Sequence, residues 1–528
     1  MAERRIKSIG LAFSGGGYRA SGFHLGVLDM LGRLQLLDRV RGLSTVSGGT
    51  ITGAYYTLQI SRGKRPEEIV PALAGWLVRN DVIERALKEH PAKKRNAQSR
   101  RRDLICSASE VYNEMLGGAL FGEVFANSGH LEDVIFNTTE FATGLDFRFQ
   151  KVSHANARIG NSNWHITRDV ARQIRLADIV AASSCFPAGF EPLEFPADFV
   201  FPGPVPAMPG IPPHFAIMDG GIYDNQGSEA LLLAPQDRED YDVVIISDTD
   251  QKPNDAIYSM PVQKRSRGIN IGWLVTIIAL LGAVTVGGAV NNVFHLFQSH
   301  ATWWEIIMAA LGPLVACLFF GALWWGWRRA RAWVAKNYPN LSGDVRTFLF
   351  SLRWSDLEDV ISLRAGSLVA MTSTIFLKRI RQLGYERIKD NTDLNRKCVP
   401  NLIYAMATKV GKAELAPTPE QQKLAERANQ MPTTLWFDDE QQFRDVFAAG
   451  QNTVVHALLR WMERGQKKED VQGELTERLR AMWKQLQEDP FRFVPDLSGG
   501  AAGGAVAPIS AGGVQEAAVA ATPKRETA

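Results

Sequence analysis

The chain has 528 residues, more than one catalytic domain needs, and a formal charge of only +3, which argues against a nucleic-acid partner. Its four cysteines, Cys106, Cys185, Cys317 and Cys398, have neither pairing nor metal-ligand spacing, so they read as reduced thiols in a cytosolic setting with no metal expected. The N-terminus runs almost directly into the first strand, leaving no room for a cleavable signal.

Ile6–Phe13 reads as a buried strand, and the chain from Arg19 as a helix with Phe23, Val27, Leu28, Leu31 and Leu34 on one face. Between them lies Ser14-Gly15-Gly16-Gly17-Tyr18-Arg19. Glycines between strand and helix let backbone N–H groups point outward at the positive end of a helix dipole, where an anion binds. That anion is either a nucleotide phosphate or the oxyanion of a tetrahedral intermediate. Gly15-x-Gly17-x-x-Ala20 fits a loose dinucleotide pattern, which asks for an acidic residue at the end of the second strand. Asp38 has the spacing but precedes the next strand, around Gly42–Val46, and so faces the wrong end. His24, one turn into the helix, reads as a packing residue or a backbone hydrogen-bond partner, and none of the nine histidines reads as a triad member.

The Gly42–Val46 strand leads into Ser44-Thr45-Val46-Ser47-Gly48-Gly49-Thr50, again strand, tight turn and helix. This is the setting of a nucleophile elbow, which lifts a hydroxyl above the sheet edge at a helix N-terminus. The usual pattern is G-x-S-x-G, and Thr45 stands where the first glycine would be; a β-branched residue crowds a sharp turn. Taken alone, Ser47 reads equally well as a helix N-cap. Further on, Lys93-Lys94-Arg95 and Arg100-Arg101-Arg102 form a basic run. It is either a solvated loop or, in a membrane-held protein, a contact to anionic headgroups at about 1 kcal/mol per basic residue. His214–Met218 reads as a short strand ending in Asp219-Gly220-Gly221. That places a carboxylate at the strand's carboxyl end, where open α/β sheets build their sites, although Asp-Gly is also a common turn.

Tyr241–Asp248 is a strongly apolar strand expected in the same sheet as the Asp219 strand. Ile269–Val290 is then an uncharged stretch of about 22 residues, enough to cross a roughly 30 Å hydrocarbon core. After Asn291-Asn292 and a short linker, Trp303–Trp327 is a second stretch, broken only by Glu305. Trp303 and Trp304 precede Trp324 and Trp325 by roughly 31 Å of helix, which spaces an aromatic belt across both interfaces. Lys264, Arg265 and Arg267 flank one end of the pair and Arg328, Arg329 and Arg331 the other, while Asn291–Thr302 has no Lys or Arg. The positive-inside rule then puts both outer ends in the cytoplasm. Helical patterns return over Asp356–Arg387 and Asp438–Met462, and Trp461–Trp483 reads as a charged surface helix. From about Leu497 the chain is Gly, Ala and Val without aromatic residues, a disordered tail.

The glycine loop, the serine turn and the Asp219 turn together resemble the patatin-like phospholipase family. Further matches follow in family order: Asn137-Thr138-Thr139 with Gly144, Ala181-Ala182-Ser183-Ser184 leading to Phe186-Pro187, Phe190-Glu191-Pro192, and Asn225 after the aspartate. The resemblance covers roughly residues 6–250. It implies a Ser–Asp dyad, with Ser47 as nucleophile and Asp219 as general base. The N–H groups of Gly15, Gly16 and Gly17 would form the oxyanion hole, with Arg19 bracing the loop; Gly49, Gly220, Gly221 and Asn225 are motif-associated. No cofactor or metal is implied, and the partners are a membrane lipid substrate and the bilayer.

The expected fold is an α/β patatin-like open sheet with helices on both faces, interrupted by a two-helix transmembrane hairpin. A catalytic domain over 1–260 precedes a hairpin over 268–332, with spans at about 269–290 and 303–327. Residues 340–490 would complete the catalytic domain, since similar helices close it in many bacterial relatives, and 497–528 form the tail. The expected activity is phospholipase A-type acyl hydrolysis by a multi-pass protein of the bacterial inner membrane, its catalytic domain cytoplasmic. The alternatives are an inactive membrane scaffold, and a thioesterase or small-ester hydrolase using the same dyad.

Overall fold

The computed structural model describes residues 6–90, 103–153, 157–187, 189–235, 240–250, 268–298, 302–337, 351–408, 413–465 and 473–497. The basic run at 93–102 and the tail beyond Leu497 lie outside these residues. The chain divides into two compact units, residues 1–255 with 372–528, and residues 256–371. The boundary after the hairpin thus falls at 371/372 rather than at 340.

The first unit is built on a ten-stranded sheet, ordered β10-β9-β1-β2-β3-β4-β5-β6, with β8 pairing with β3 and β7 with β8; β5 (Ile159–Gly160) and β6 (His165–Ile166) are two-residue edge strands. The strands that matter are β1 (Ile9–Phe13), β2 (Val40–Val46), β3 (Asp133–Glu140), β4 (Leu145–Lys151), β7 (Leu193–Phe195), β8 (Phe215–Asp219), β9 (Val243–Asp248) and β10 (Cys398–Leu402). β10, β9, β1, β2 and β3 run parallel, whereas β4 and β8 are antiparallel to β3. A parallel sheet is covered on both faces, which is why β1 throughout and β9 over Val243–Ile246 are apolar instead of alternating. Leu11, Phe13, Val243 and Ile245 point into the larger core, Ala12, Val244 and Ile246 into a second cluster with Leu231 and Ile388. The Tyr241–Asp248 segment joins the sheet of the Asp219 strand, as expected.

The larger core is closed by helix α1 (Gly17–Arg33) against the helix Glu440–Gly465, at backbone contact distance. A Cβ on Gly26 would lie 2.1 Å from the Phe447 carbonyl oxygen, and one on Gly450 would lie 2.0 Å from that of Phe23. The Trp461–Trp483 stretch is not one surface helix. It is divided between Glu440–Gly465 and Glu474–Glu488, and the latter buries Leu479, Trp483 and Leu486. Their i, i+4, i+7 spacing makes an apolar stripe within an otherwise charged segment.

The second unit contains helices over Ile271–Gln298 and Trp303–Asn337, which pack on each other, and one over Trp354–Ala370. Two of these, Ile271–Gln298 and Trp303–Gly326, are long and apolar enough to cross a membrane. The first runs through Asn291-Asn292, because Val293, Phe294, Leu296 and Phe297 extend its apolar character past the point where a linker was expected. Trp273, Leu280, Val284, Trp303 and Leu318 are all more than 60% exposed, an apolar surface far larger than soluble proteins leave in water. Arg328 and Arg329 stack on Trp324 and Trp325, at 4.8 and 5.2 Å from the ring centroids.

The α1 contact gives a stability test. Gly450→Val should cost about 3 kcal/mol by forcing the two helices apart. Gly32→Ala on the same α1, where a Cβ meets only Leu37 at 3.7 Å, should be neutral or stabilising by up to about 1 kcal/mol. Thermal unfolding in detergent checks both, and equal effects would show that the close approach is not what limits packing.

Candidate active site

Strand β3 brings the serine and the aspartate together. Its first half pairs with β2, and the last rung of that ladder is Val46 opposite Asn137. Its second half pairs along the same edge with β8, and the end of that ladder is Asp219 opposite Thr138. β2 is parallel to β3 and β8 antiparallel, so the carboxyl ends of β2 and β8 meet head to head at adjacent β3 residues. Ser47 follows one and Asp219 ends the other. Asn137 holds the junction, its Nδ2 donating to Ser44 Oγ and to the Thr45 carbonyl, both at 2.9 Å.

Ser47 occupies a strained turn, with φ 52° and ψ −122°, a region that L side chains rarely adopt. It starts helix α2 (Gly48–Ser61), yet its hydroxyl makes no capping hydrogen bond, so the N-cap reading has no support in the geometry. The Ser47 N–H donates instead to Ser183 Oγ at 3.0 Å, and Ser183 in turn donates to the Asn137 carbonyl at 2.7 Å. Ser183 thereby fixes the turn from a helix distant in sequence. Thr45 fits because Gly53 makes room: a Cβ there would lie 2.4 Å from Thr45 Cγ2. The space usually provided before the serine is provided one and a half turns into α2.

The glycine loop reaches the same place from β1. Gly16 has φ 140° and Gly17 φ 56°, both reserved for glycine. The Gly15 N–H is already committed to the Asn225 carbonyl at 3.0 Å, which removes it from the three expected oxyanion donors. Asn225 thus ties the Asp219 turn to the glycine loop through its main chain. Gly16 and Gly17 donate to no acceptor among the described residues and border the same cavity as Ser47 and Asp219. Gly49, Gly220 and Gly221 allow close packing around these turns; a Cβ on Gly220 would lie 2.4 Å from the Asn137 carbonyl oxygen.

Asp219 is 3% exposed. One carboxylate oxygen accepts from the Gly221 N–H at 2.7 Å, while Oδ2 is buried without a hydrogen-bond partner. Burial pushes its pKa up to about 6; the neighbouring Ser47 hydroxyl, the Gly221 N–H and Arg381 offset only part of that rise. The carboxylate is therefore a stronger base than an exposed aspartate and is still ionised at neutral pH.

The cavity around these groups has a volume of about 360 Å³, with Phe186, Phe190, Leu377, Leu435 and Trp436 forming an apolar wall. Arg19 also borders it, but its guanidinium donates to the Met431 and Asn429 carbonyls at 2.8 and 3.3 Å, so it braces the C-terminal segment rather than its own loop. Burial, with Arg381 nearby, lowers its pKa to about 10. The residue that does hold the glycine loop is Arg381, which donates to the Gly15 carbonyl at 3.1 Å and to Asp250 at 2.8 Å. No local motif marks Arg381; only the acidic Asp248-Thr249-Asp250 at the end of β9 hinted that a cation must arrive. His24 is fully buried and stacked on Phe13, and it binds the Ser14 carbonyl and Ser247 Oγ at 3.0 Å each, a structural role as expected.

A mixed open sheet thus brings a strained serine turn, a buried carboxylate and two glycine N–H groups to one apolar-walled cavity. Residues 11–232 match the patatin-like phospholipase family and form a domain of it, which supports lipid hydrolase activity in general. Among solved structures, human GIVD cytosolic phospholipase A2 is similar at 13% identity and a TM-score of 0.30, over 46% of this chain and 46% of that one. The same human enzyme with methyl gamma-linolenyl fluorophosphonate and terbium chloride gives 15% identity and a TM-score of 0.28, over 46% and 41%. The chain thus spans less than half the length of either. Comparison with curated proteins gives no match.

Burying Asp219 has a stability cost with a defined sign. Its folded pKa of about 6 exceeds the ordinary aspartate value of 3.8, so the folded state binds the proton more tightly and stability falls as pH rises between those values. Asp219→Asn keeps an acceptor for the Gly221 N–H and removes the buried charge. It should stabilise the protein at pH 8 by on the order of 2–3 kcal/mol, with the difference vanishing below about pH 4. Thermal midpoints at the two pH values check this; an unchanged or lowered midpoint at pH 8 would contradict it.

Proposed function

We propose that the protein is a serine acyl hydrolase of phospholipase A type, acting on membrane glycerolipids through a Ser47–Asp219 dyad. The observation that carries this reading is the buried, basic Asp219 carboxylate beside the strained Ser47, where β2 and β8 meet. Asp219 takes the Ser47 hydroxyl proton as Oγ attacks the ester carbonyl carbon, and the Gly16 and Gly17 N–H groups receive the developing oxyanion. Collapse expels the alcohol, which leaves with the proton from Asp219. Water then gives its proton to Asp219 and attacks the acyl-enzyme, releasing the fatty acid and restoring Ser47. The apolar wall of the cavity suits an acyl chain.

The two long apolar helices support a membrane location, with the hairpin's outer ends and the catalytic unit on the cytoplasmic side. A hydrolase whose substrate is the bilayer gains from such an anchor, which keeps the enzyme on the membrane that holds its substrate.

Ser47→Ala and Asp219→Asn should each remove nearly all ester hydrolysis, and a fluorophosphonate probe should label the parent protein at Ser47. Near-parental turnover in either variant would sink the dyad. The dependence of kcat/KM on pH should rise through about 6 to a plateau, because only ionised Asp219 accepts the proton. A profile flat from pH 5 to 8 would remove Asp219 from that role. For the membrane reading, a cysteine placed at Ser299 should react with an impermeant maleimide from outside intact cells, and one at Ser342 should not. The reverse pattern, or full-length protein in the soluble fraction without detergent, would overturn it.

A further inference from the structure

The peptide unit joining Gly15 to Gly16 has no side chain on either residue to fix its plane, and glycine leaves its rotation almost free. It is held from outside. The Gly15 carbonyl oxygen accepts from Arg381 Nη2 at 3.1 Å, Thr249 Oγ1 at 3.0 Å and Ser14 Oγ at 3.2 Å, three donors on one acceptor. A carbonyl has two lone pairs, so this oxygen is saturated. The peptide is trans, and in a trans peptide the C=O and N–H point in opposite directions. Drawing the carbonyl toward Arg381, Thr249 and Ser14 therefore turns the Gly16 N–H away from these donors, and Gly16, like Arg381, borders the cavity with Ser47.

Arg381 is itself fixed. It lies on the helix Phe376–Asp390, 131 residues after Asp250 in sequence, with Nη1 2.8 Å from Asp250 and Nε 3.4 Å from Asp248. Asp248 is oriented in turn by the Tyr385 hydroxyl at 3.1 Å and Gln226 Nε2 at 3.3 Å. Burial opposes the charge on Arg381, but Asp248 and Asp250 more than offset it, so the guanidinium stays protonated. One edge of the guanidinium answers the carboxylates and the other reaches the loop. A hydrogen bond from a charged donor is stronger than the neutral bonds beside it.

We infer that Arg381, with Thr249, is a positioning residue of the oxyanion hole: it locks the Gly15–Gly16 peptide so that the Gly16 N–H is aimed at the ester oxygen before substrate arrives. This rests on the Ser47–Asp219 reading above. Preorganised donors stabilise the transition state without reorganising, and a donor free to rotate loses that advantage.

The test uses the full-length protein in detergent with a soluble p-nitrophenyl ester, and compares Arg381→Lys, Thr249→Val and Ser47→Ala. Lysine keeps a charge for Asp248 and Asp250 but has no planar fork to span carboxylate and carbonyl together. Valine is close to threonine in shape and lacks the hydroxyl donor. Each of these two variants should lose about 10–100-fold in kcat with KM within about twofold. Affinity for a trifluoromethyl ketone, which Ser47 converts to an oxyanion-bearing hemiketal, should fall in parallel, a correlation that a merely structural residue would not produce. If Arg381→Lys does not fold, Thr249→Val decides alone. Parental kcat and ketone affinity, or a raised KM with unchanged kcat, would overturn the positioning role while an inactive Ser47→Ala left the dyad standing. Activity retained in Ser47→Ala would instead remove the dyad and this inference together.

Discussion

The site depends on one strand edge being shared. β3 offers a single row of hydrogen-bonding groups to two strands that approach from opposite directions, and each stops where the other begins. The register sets Val46 against Asn137 and Asp219 against Thr138, so the residue after β2 and the last residue of β8 are neighbours by construction. A one-residue slip of β8 on β3 would turn Asp219 to the opposite face of the sheet, and the same slip of β2 would move Ser47 out of register with it. The surrounding polar groups read as devices that protect this junction. Asn137 is bonded to both Ser44 and Thr45, and Ser183 bridges the Asn137 carbonyl to the Ser47 N–H.

The same junction is a place of stored free energy. Ser47 is held at a positive φ, and Asp219 carries a buried oxygen with no hydrogen-bond partner. Such features persist only where the surrounding structure over-determines them. Here the over-determination comes from the parallel sheet below and from close backbone packing above, including the contact between α1 and the helix Glu440–Gly465. The raised basicity of Asp219 and its cost to the fold have one physical cause, the exclusion of water from a carboxylate. A carboxylate at the same position in solvent would cost the fold nothing and would be a poor base.

The chain leaves the first unit after Asp255 and returns to it at Thr372, and the two flanks of this excursion are tied together inside that unit. β10, formed after the return, pairs in parallel with β9, formed before the departure. Arg381 pairs with Asp250 across the same gap. The intervening helices are therefore an insertion into a sheet that closes without them, and the returning segment supplies groups the site lacks. The glycine loop is anchored from both sides of the insertion, by Asn225 before it and Arg381 after it.

Local chemistry was legible in the sequence wherever a few consecutive residues carry the whole requirement. Glycines between strand and helix, a serine at a second such turn, and an aspartate ending a short strand each announce themselves, because turn geometry and strand periodicity are properties of neighbouring residues. The apolar helices were legible for the same reason, though Ile271–Gln298 runs past the asparagines where an end was expected. What the sequence did not disclose is who meets whom. Three N–H donors were expected from the glycine loop, and tertiary pairing with Asn225 uses one of them. Thr45 looked too bulky for its turn until Gly53 was found opposite its methyl group. Arg19 was expected to brace its own loop, yet its guanidinium faces the Asn429 and Met431 carbonyls while Arg381 takes the loop. Each of these depends on contacts between residues far apart in the chain, which no local pattern encodes; the sequence determined the parts, and the pairing of β3 with both β2 and β8 decided that they form one site.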